Sequence, residues 1–153
     1  MRYKGHLITT FAIALPIMEV TNDINAIALT GLALGALLPD IDEPNSYIGR
    51  RIPIIPTVFK KVFGHRGMTH SLLAVSLMIL IAFFTDCLFF EMIACGYFLH
   101  IFEDTFSVSG IKWLLPFSDK PIAFKIYSTG KKSEIIVVSL MFLLLITEVL
   151  LFI

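Results

Sequence analysis

Four histidines, the run Leu38-Pro39-Asp40-Ile41-Asp42 and a third aspartate at Asp104 supply most of the side chains in this sequence that could do chemistry. Imidazole and carboxylate together suit zinc, manganese or iron, with zinc favoured because neutral imidazole is its common ligand. Asp40 and Asp42, one residue apart just beyond an apolar run, offer oxygen ligands, although such a pair also serves as a plain solvated turn. His100 and Asp104 lie four residues apart in an otherwise apolar segment, a spacing that stacks both on one helical face within reach of one ion. An ionisable pair inside a membrane span is costly to leave in lipid, and so points to function.

The densest polar cluster is Gly64-His65-Arg66-Gly67-Met68-Thr69-His70-Ser71. Its glycines let backbone approach a ligand closely, and a helix beginning near Thr69 would direct free N–H groups to the same spot. The planar fork of Arg66 suits a pair of phosphate oxygens, and equally suits a basic anchor at a membrane surface. Arg66 and His70 are the candidate catalytic residues. His6, Asp40, Asp42, His65, His70, His100 and Asp104 are the candidate metal ligands. Cys87 and Cys95 form no C-x-x-C pair and read as packing residues.

The elements that must position these groups follow from composition. Of 153 residues, 57% are hydrophobic and 16% charged, which points to lipid as solvent. A formal net charge of zero offers no basic field, so nucleic acid is not an expected partner. Apolar runs fall at 7–20, 24–38, 71–85, 87–107 and 135–153. The first three are shorter than the roughly 20 residues that cross a bilayer unaided. The fold class expected is an all-α integral membrane protein, one membrane-embedded domain over residues 1–153. About five transmembrane helices, with four as the alternative count, are joined by two cytoplasmic loops. With five spans, all 12 lysines and arginines share one face, and the positive-inside rule makes that face, with the N-terminus, cytoplasmic. The turns at Thr21-Asn22-Asp23 and Thr85-Asp86 then lie on the other face. The N-terminal apolar stretch is too short before Ala12 and Ala14 for a secretory signal, and reads as a retained helix. Residues 57–63 could lie on the headgroups, and Trp113 suits an interfacial belt.

His6, Leu-Pro-Asp-Ile-Asp with Pro44 and Ser46, His65 to Ser71, Gly96 with His100 and Asp104, and Gly110 leading to Pro116 form a pattern covering most of the chain. At these residues the sequence resembles the YdjM-like family of bacterial inner-membrane proteins, described as metal-dependent hydrolases. The resemblance implies a multi-pass protein of the bacterial cytoplasmic membrane with a metal site at the residues named. The expected activity is hydrolysis through metal-activated water, by one or two ions. The inner leaflet and its basic residues favour a phosphoester or lipid phosphate as substrate, with membrane lipids as partners and the oligomeric state open. The alternative is a metal-stabilised scaffold or a transporter. A soluble nuclease is disfavoured by the apolar runs.

Overall fold

Asparagine and serine side chains start two of the helices where polar sequence gives way to apolar. Asn25 accepts hydrogen bonds from the amides of Ile27 and Ala28, and Ser71 accepts one from Ala74, each satisfying N–H groups that a helix start leaves over. The structure is a computed structural model and describes residues 1–52 and 67–152. His65, Arg66 and the expected interfacial stretch 57–63 lie outside the described residues.

Five α-helices are present among the described residues: α1 (Tyr3–Val20), α2 (Ala26–Gly35), α3 (Leu72–Thr85), α4 (Leu88–Thr105) and α5 (Lys132–Phe152). The expected turns close two of the connections, with Asn22 at φ 60° and Asp86 at φ 45°. Both are residue types that enter the left-handed region at low cost. Short 3-10 turns cover Leu38–Asp42, Gly49–Arg51 and Met68–His70. Pro39 sits in the first of these, where its missing N–H and fixed φ prevent α2 from continuing.

Glycines set the closest helix contact. A Cβ on Gly35 would lie 2.2 Å from the Ile93 carbonyl oxygen, and one on Gly96 would lie 2.3 Å from that of Leu32. Only backbone without side chains fits there, so α2 lies directly on α4, the small-residue packing common between helices in membranes. Ala14 and Met18 of α1, Ala28 and Leu32 of α2 and Leu99 of α4 form one apolar cluster. Val75, Tyr97, Ile101 and Ile111 form another, with Trp113 packed against it. The Trp113 indole also donates to Thr105 Oγ1 at 2.9 Å, so it folds back onto the α4 terminus. Residues 106–131 lie along these helix ends, paired at Ser107 with Tyr127 and at Ile111 with Ile122. Cys87 and Cys95 are free thiols, and Cys95 packs against the first cluster.

Among the described residues, one helix, over Lys132–Leu151, is long and apolar enough to cross a bilayer; α2 and α3 are apolar but only 10 and 14 residues long. The spans of about five helices expected from the apolar runs, the first three of them short, differ from this for a physical reason. Within the second run only Ala26–Gly35 is helical, while α1 and α4 carry Lys4, Glu19, Glu91, Glu103 and Asp104 in 18-residue helices. Large apolar side chains nevertheless face outward on α3 and α5, including Phe83 at 76% and Leu150 at 78% exposure. The start of α1, the end of α2, the start of α3 and the end of α4 meet around one set of polar side chains. The start of α5 joins them where Glu134 accepts from the Arg2 amide at 2.6 Å.

Candidate metal centre

Three imidazoles anchor the centre, each tied down through Nδ1. His6 Nδ1 lies 2.6 Å from Glu103 Oε2, and His100 Nδ1 lies 2.6 Å from the Ala36 carbonyl oxygen, an acceptor only, so His100 donates there. The Thr69 hydroxyl gives its one proton to Asp42 Oδ2 at 2.7 Å, so its 3.1 Å contact with His70 Nδ1 has the imidazole donating. A proton on each Nδ1 leaves the lone pair of the neutral ring on Nε2. All three Nε2 atoms are buried with no hydrogen-bond partner.

Carboxylates face those nitrogens. Asp104 Oδ1 is 3.5 Å from His6 Nε2, and Asp40 Oδ1 is 3.7 Å from His70 Nε2 and 3.8 Å from His100 Nε2. His6, His100 and Asp104 form one group, and Asp40, His70 and His100 another; within each, the ligand atoms lie within 4.8 Å of one another. The rings of His6 and His100 stack at 3.7 Å between centroids and 13° between planes. His6, His70 and His100 are fully buried, whereas Asp40 is 24% exposed.

The fold explains each position. Contact of Gly35 and Gly96 brings the last carbonyls of α2 onto α4, which is how the Ala36 oxygen reaches His100. Ser46 donates to the Asp40 carbonyl at 2.7 Å and accepts from the Gly49 amide at 2.8 Å, holding the Asp40 turn. The hydroxyl of Tyr97 donates to the Thr69 carbonyl, and the Leu72 amide donates to the Trp113 carbonyl at 2.8 Å; together they fix the turn carrying His70.

Of the residues singled out in the sequence, His6, Asp40, His70, His100 and Asp104 are brought together. Asp42 takes a different place: its Oδ2 accepts from the Gly67 amide at 3.2 Å and from Thr69, and lies 3.6 Å from His70 Nδ1, on the far side of that ring. In a 3-10 turn, residues two apart point in different directions, and the two aspartates divide accordingly. The donors expected to bind an anion near Thr69 therefore hold Asp42, while α3 itself begins at Leu72 under the Ser71 cap. His65 and Arg66 fall outside the described residues.

Other residues at the centre escaped the sequence reading. Glu103 grips His6, and Thr10 donates to Glu103 Oε1 at 2.9 Å. The Tyr127 hydroxyl is 3.1 Å from Asp104 Oδ1, and the Met1 amino group contacts the same oxygen. Glu103 carried the signal that marked Asp104, an acid in an apolar helix; Tyr127 carried none.

Charge balance follows from these contacts. Burial works against an imidazolium at His70, yet Asp40 and Asp42 raise its pKa to about 9. Burial likewise opposes ionisation of Asp40, but His100 and His70 hold it well below the usual carboxylate range. Against the same cost of burial, Asp42 is lowered by His70, Thr69 and Gly67. The surroundings of His70 Nε2 thus attract positive charge, which a proton supplies when no other cation does.

The family model described as YdjM inner membrane protein matches residues 1–152. Over 110 residues the chain is 39% identical to "Uncharacterized protein YvsG" of Bacillus subtilis (strain 168), covering 70% of this chain and 68% of that protein. Over 131 residues it is 31% identical to "Inner membrane protein YdjM" of Escherichia coli (strain K12), covering 76% of this chain and 66% of the relative, just short of two thirds of its length. No solved structure matches the chain.

Proposed function

The chain belongs to the YdjM inner membrane protein family, and from that premise we propose that it is a multi-pass, metal-dependent hydrolase acting on a phosphoester or lipid phosphate at the cytoplasmic leaflet. The observation that carries the reading is the set of three buried Nε2 atoms without hydrogen-bond partners, facing Asp40 and Asp104. A buried polar atom with no partner costs free energy, and three converging on two carboxylates fit a cation with imidazole and oxygen ligands. His6, His70 and His100 would hold it, with Asp40 and Asp104. Because His100 spends Nδ1 on Ala36 it offers one lone pair, which favours a single ion over two. When bound, a divalent ion there supplies Lewis acidity and brings the acidity of a water toward neutral pH.

The chain's own residues do the rest. Asp40, the exposed member, faces arriving water and substrate. Between the starts of α1 and α5, a cavity of about 200 Å³ is lined by Arg2, Lys4 and the acid Glu134 beside the apolar Ile135 and Val138. Two cations against one acid and an apolar wall leave room for a lipid phosphate. Arg66 keeps the role of a second anion clamp. Outward apolar faces on α3 and α5 support contact with lipid, and the shorter helices cross with tilt or a thinned bilayer. The distribution of basic residues supports a cytoplasmic position for the site.

Full burial of the three imidazoles supports a second reading, a sealed metal site that locks helix ends in a scaffold or transporter. The test is paired. Detergent-purified wild type is analysed for metal and assayed on phosphatidic acid and a chromogenic phosphodiester, beside His100→Ala. Metal with turnover, both lost in His100→Ala, supports the hydrolase. Metal without turnover on any phosphoester supports the scaffold, and wild type that takes up no metal refutes both.

A further inference from the structure

Glu103 is the acid at the centre that faces away from the cation position. Its Oε2 holds His6 Nδ1 at 2.6 Å and its Oε1 accepts from the Thr10 hydroxyl at 2.9 Å, so both oxygens are spent on α1. The side chain is buried, at 3% exposure. The next residue, Asp104, stands 3.5 Å from the other nitrogen of the same ring. Consecutive helical positions diverge by about 100°. The two acids of α4 therefore clasp His6 from its two edges, one at Nδ1 and one at Nε2.

His70 also has an acid at each edge, Asp42 Oδ2 at 3.6 Å from Nδ1 and Asp40 Oδ1 at 3.7 Å from Nε2, but its Nδ1 donates to the Thr69 hydroxyl, and His100 donates to a backbone carbonyl. Among the three, His6 is the one whose Nδ1 has a carboxylate within hydrogen-bonding distance. A hydrogen bond to a carboxylate is roughly twice as strong as one to a neutral acceptor, and it pushes electron density through the ring toward the opposite nitrogen.

We propose that Glu103 is the positioning residue of the centre: its carboxylate fixes His6 with Nδ1 protonated and Nε2 turned toward Asp104, making His6 the strongest of the three imidazole donors. The assignment rests on the metal site proposed above and adds a residue that does not touch the ion. It accounts for a glutamate buried in an apolar helix beside an aspartate, since the extra methylene carries its carboxylate across to α1. Thr10 holds the second oxygen so that the first cannot swing away from His6.

The test uses the full chain in detergent, with zinc titrated against a chromophoric chelator and cobalt bound as a spectroscopic probe. Glu103→Gln keeps an acceptor for Nδ1 but removes the charge, and zinc affinity is expected to fall roughly tenfold, with a shifted cobalt absorption band. Thr10→Val leaves the charge and loosens its placement; a fall of about fivefold at most is expected, and this variant carries the test if Glu103→Gln does not fold. In a His6→Ala background Glu103→Gln should have no further effect, because the ring it acts through is gone. Wild-type affinity and spectrum in Glu103→Gln, or an equal loss in the His6→Ala background, overturns the proposal while leaving the metal site standing. Wild type that binds neither metal overturns the site itself, and this assignment with it.

Discussion

Replacing Gly96 with alanine is expected to damage the candidate metal centre without altering any side chain in it. The added Cβ would stand 2.3 Å from the Leu32 carbonyl oxygen and 2.8 Å from the Ala36 amide nitrogen, both backbone atoms with no freedom to rotate away. Reaching an ordinary contact of 3.4 Å requires α2 to retreat from α4 by about 1 Å. The same retreat stretches the bond from His100 Nδ1 to the Ala36 oxygen from 2.6 Å to about 3.6 Å, beyond hydrogen-bonding range. Overpacking of this kind costs about 1–3 kcal/mol, and the lost hydrogen bond adds about 1 kcal/mol. A melting temperature lower by roughly 5–10 °C is expected in detergent. The freed imidazole can rotate, so zinc affinity should fall about tenfold, equivalent to ~1.4 kcal/mol. Thermal unfolding and chelator competition on purified Gly96→Ala measure both, with Leu34→Ala on the exposed side of α2 as control. Wild-type melting and wild-type affinity in Gly96→Ala would refute the link between helix contact and site.

Three other outcomes follow from the same geometry. His70 holds a proton up to about pH 9 in the metal-free protein, so below that value an incoming ion must displace it; zinc affinity should rise with pH, about tenfold per unit, and level off near 9. A flat titration would separate His70 from the site. Tyr127→Phe removes a hydroxyl 3.1 Å from Asp104 Oδ1 and 3.1 Å from the Glu103 carbonyl, and is expected to cost about 1 kcal/mol of stability while metal content stays at the wild-type level. Single cysteines at Asn45 and Thr21, in a chain lacking Cys87 and Cys95, should react with an impermeant thiol reagent from opposite sides of the membrane in intact cells. Labelling of position 45 but not 21 from outside would reverse the proposed orientation.

The candidate metal-ligating residue types were legible in the sequence because they stand out chemically. His100 and Asp104 share one helical face by spacing alone, and Asp40 follows a helix end that Pro39 announces. Which nitrogen of each histidine faces the site was not legible, because that depends on acceptors from other elements. One of these, the Ala36 carbonyl, is backbone and has no signature in residue type. Asp42 and Asp40 look equivalent in Leu-Pro-Asp-Ile-Asp, and only the 3-10 conformation separates them, one toward His100 and the other toward Gly67 and Thr69. The helices were legible as apolar runs, but their lengths were not. The helix in the second run stops at Gly35, before the turn that holds Pro39, and the acids that α4 devotes to the site lower its apolar character. Tyr127 lies in an irregular segment with no periodic pattern, so its return to Asp104 could be seen only in three dimensions.

X-ray absorption at the zinc edge of the detergent-purified, zinc-loaded chain tests the centre most directly. A first shell of nitrogen and oxygen at about 2.0–2.1 Å, with outer-shell scattering from three imidazoles, is expected, and one imidazole should vanish in His6→Ala. A sulfur shell at about 2.3 Å from Cys87 or Cys95, or an imidazole count unchanged in His6→Ala, would contradict the assignment of His6, His70 and His100 as the residues that hold the ion.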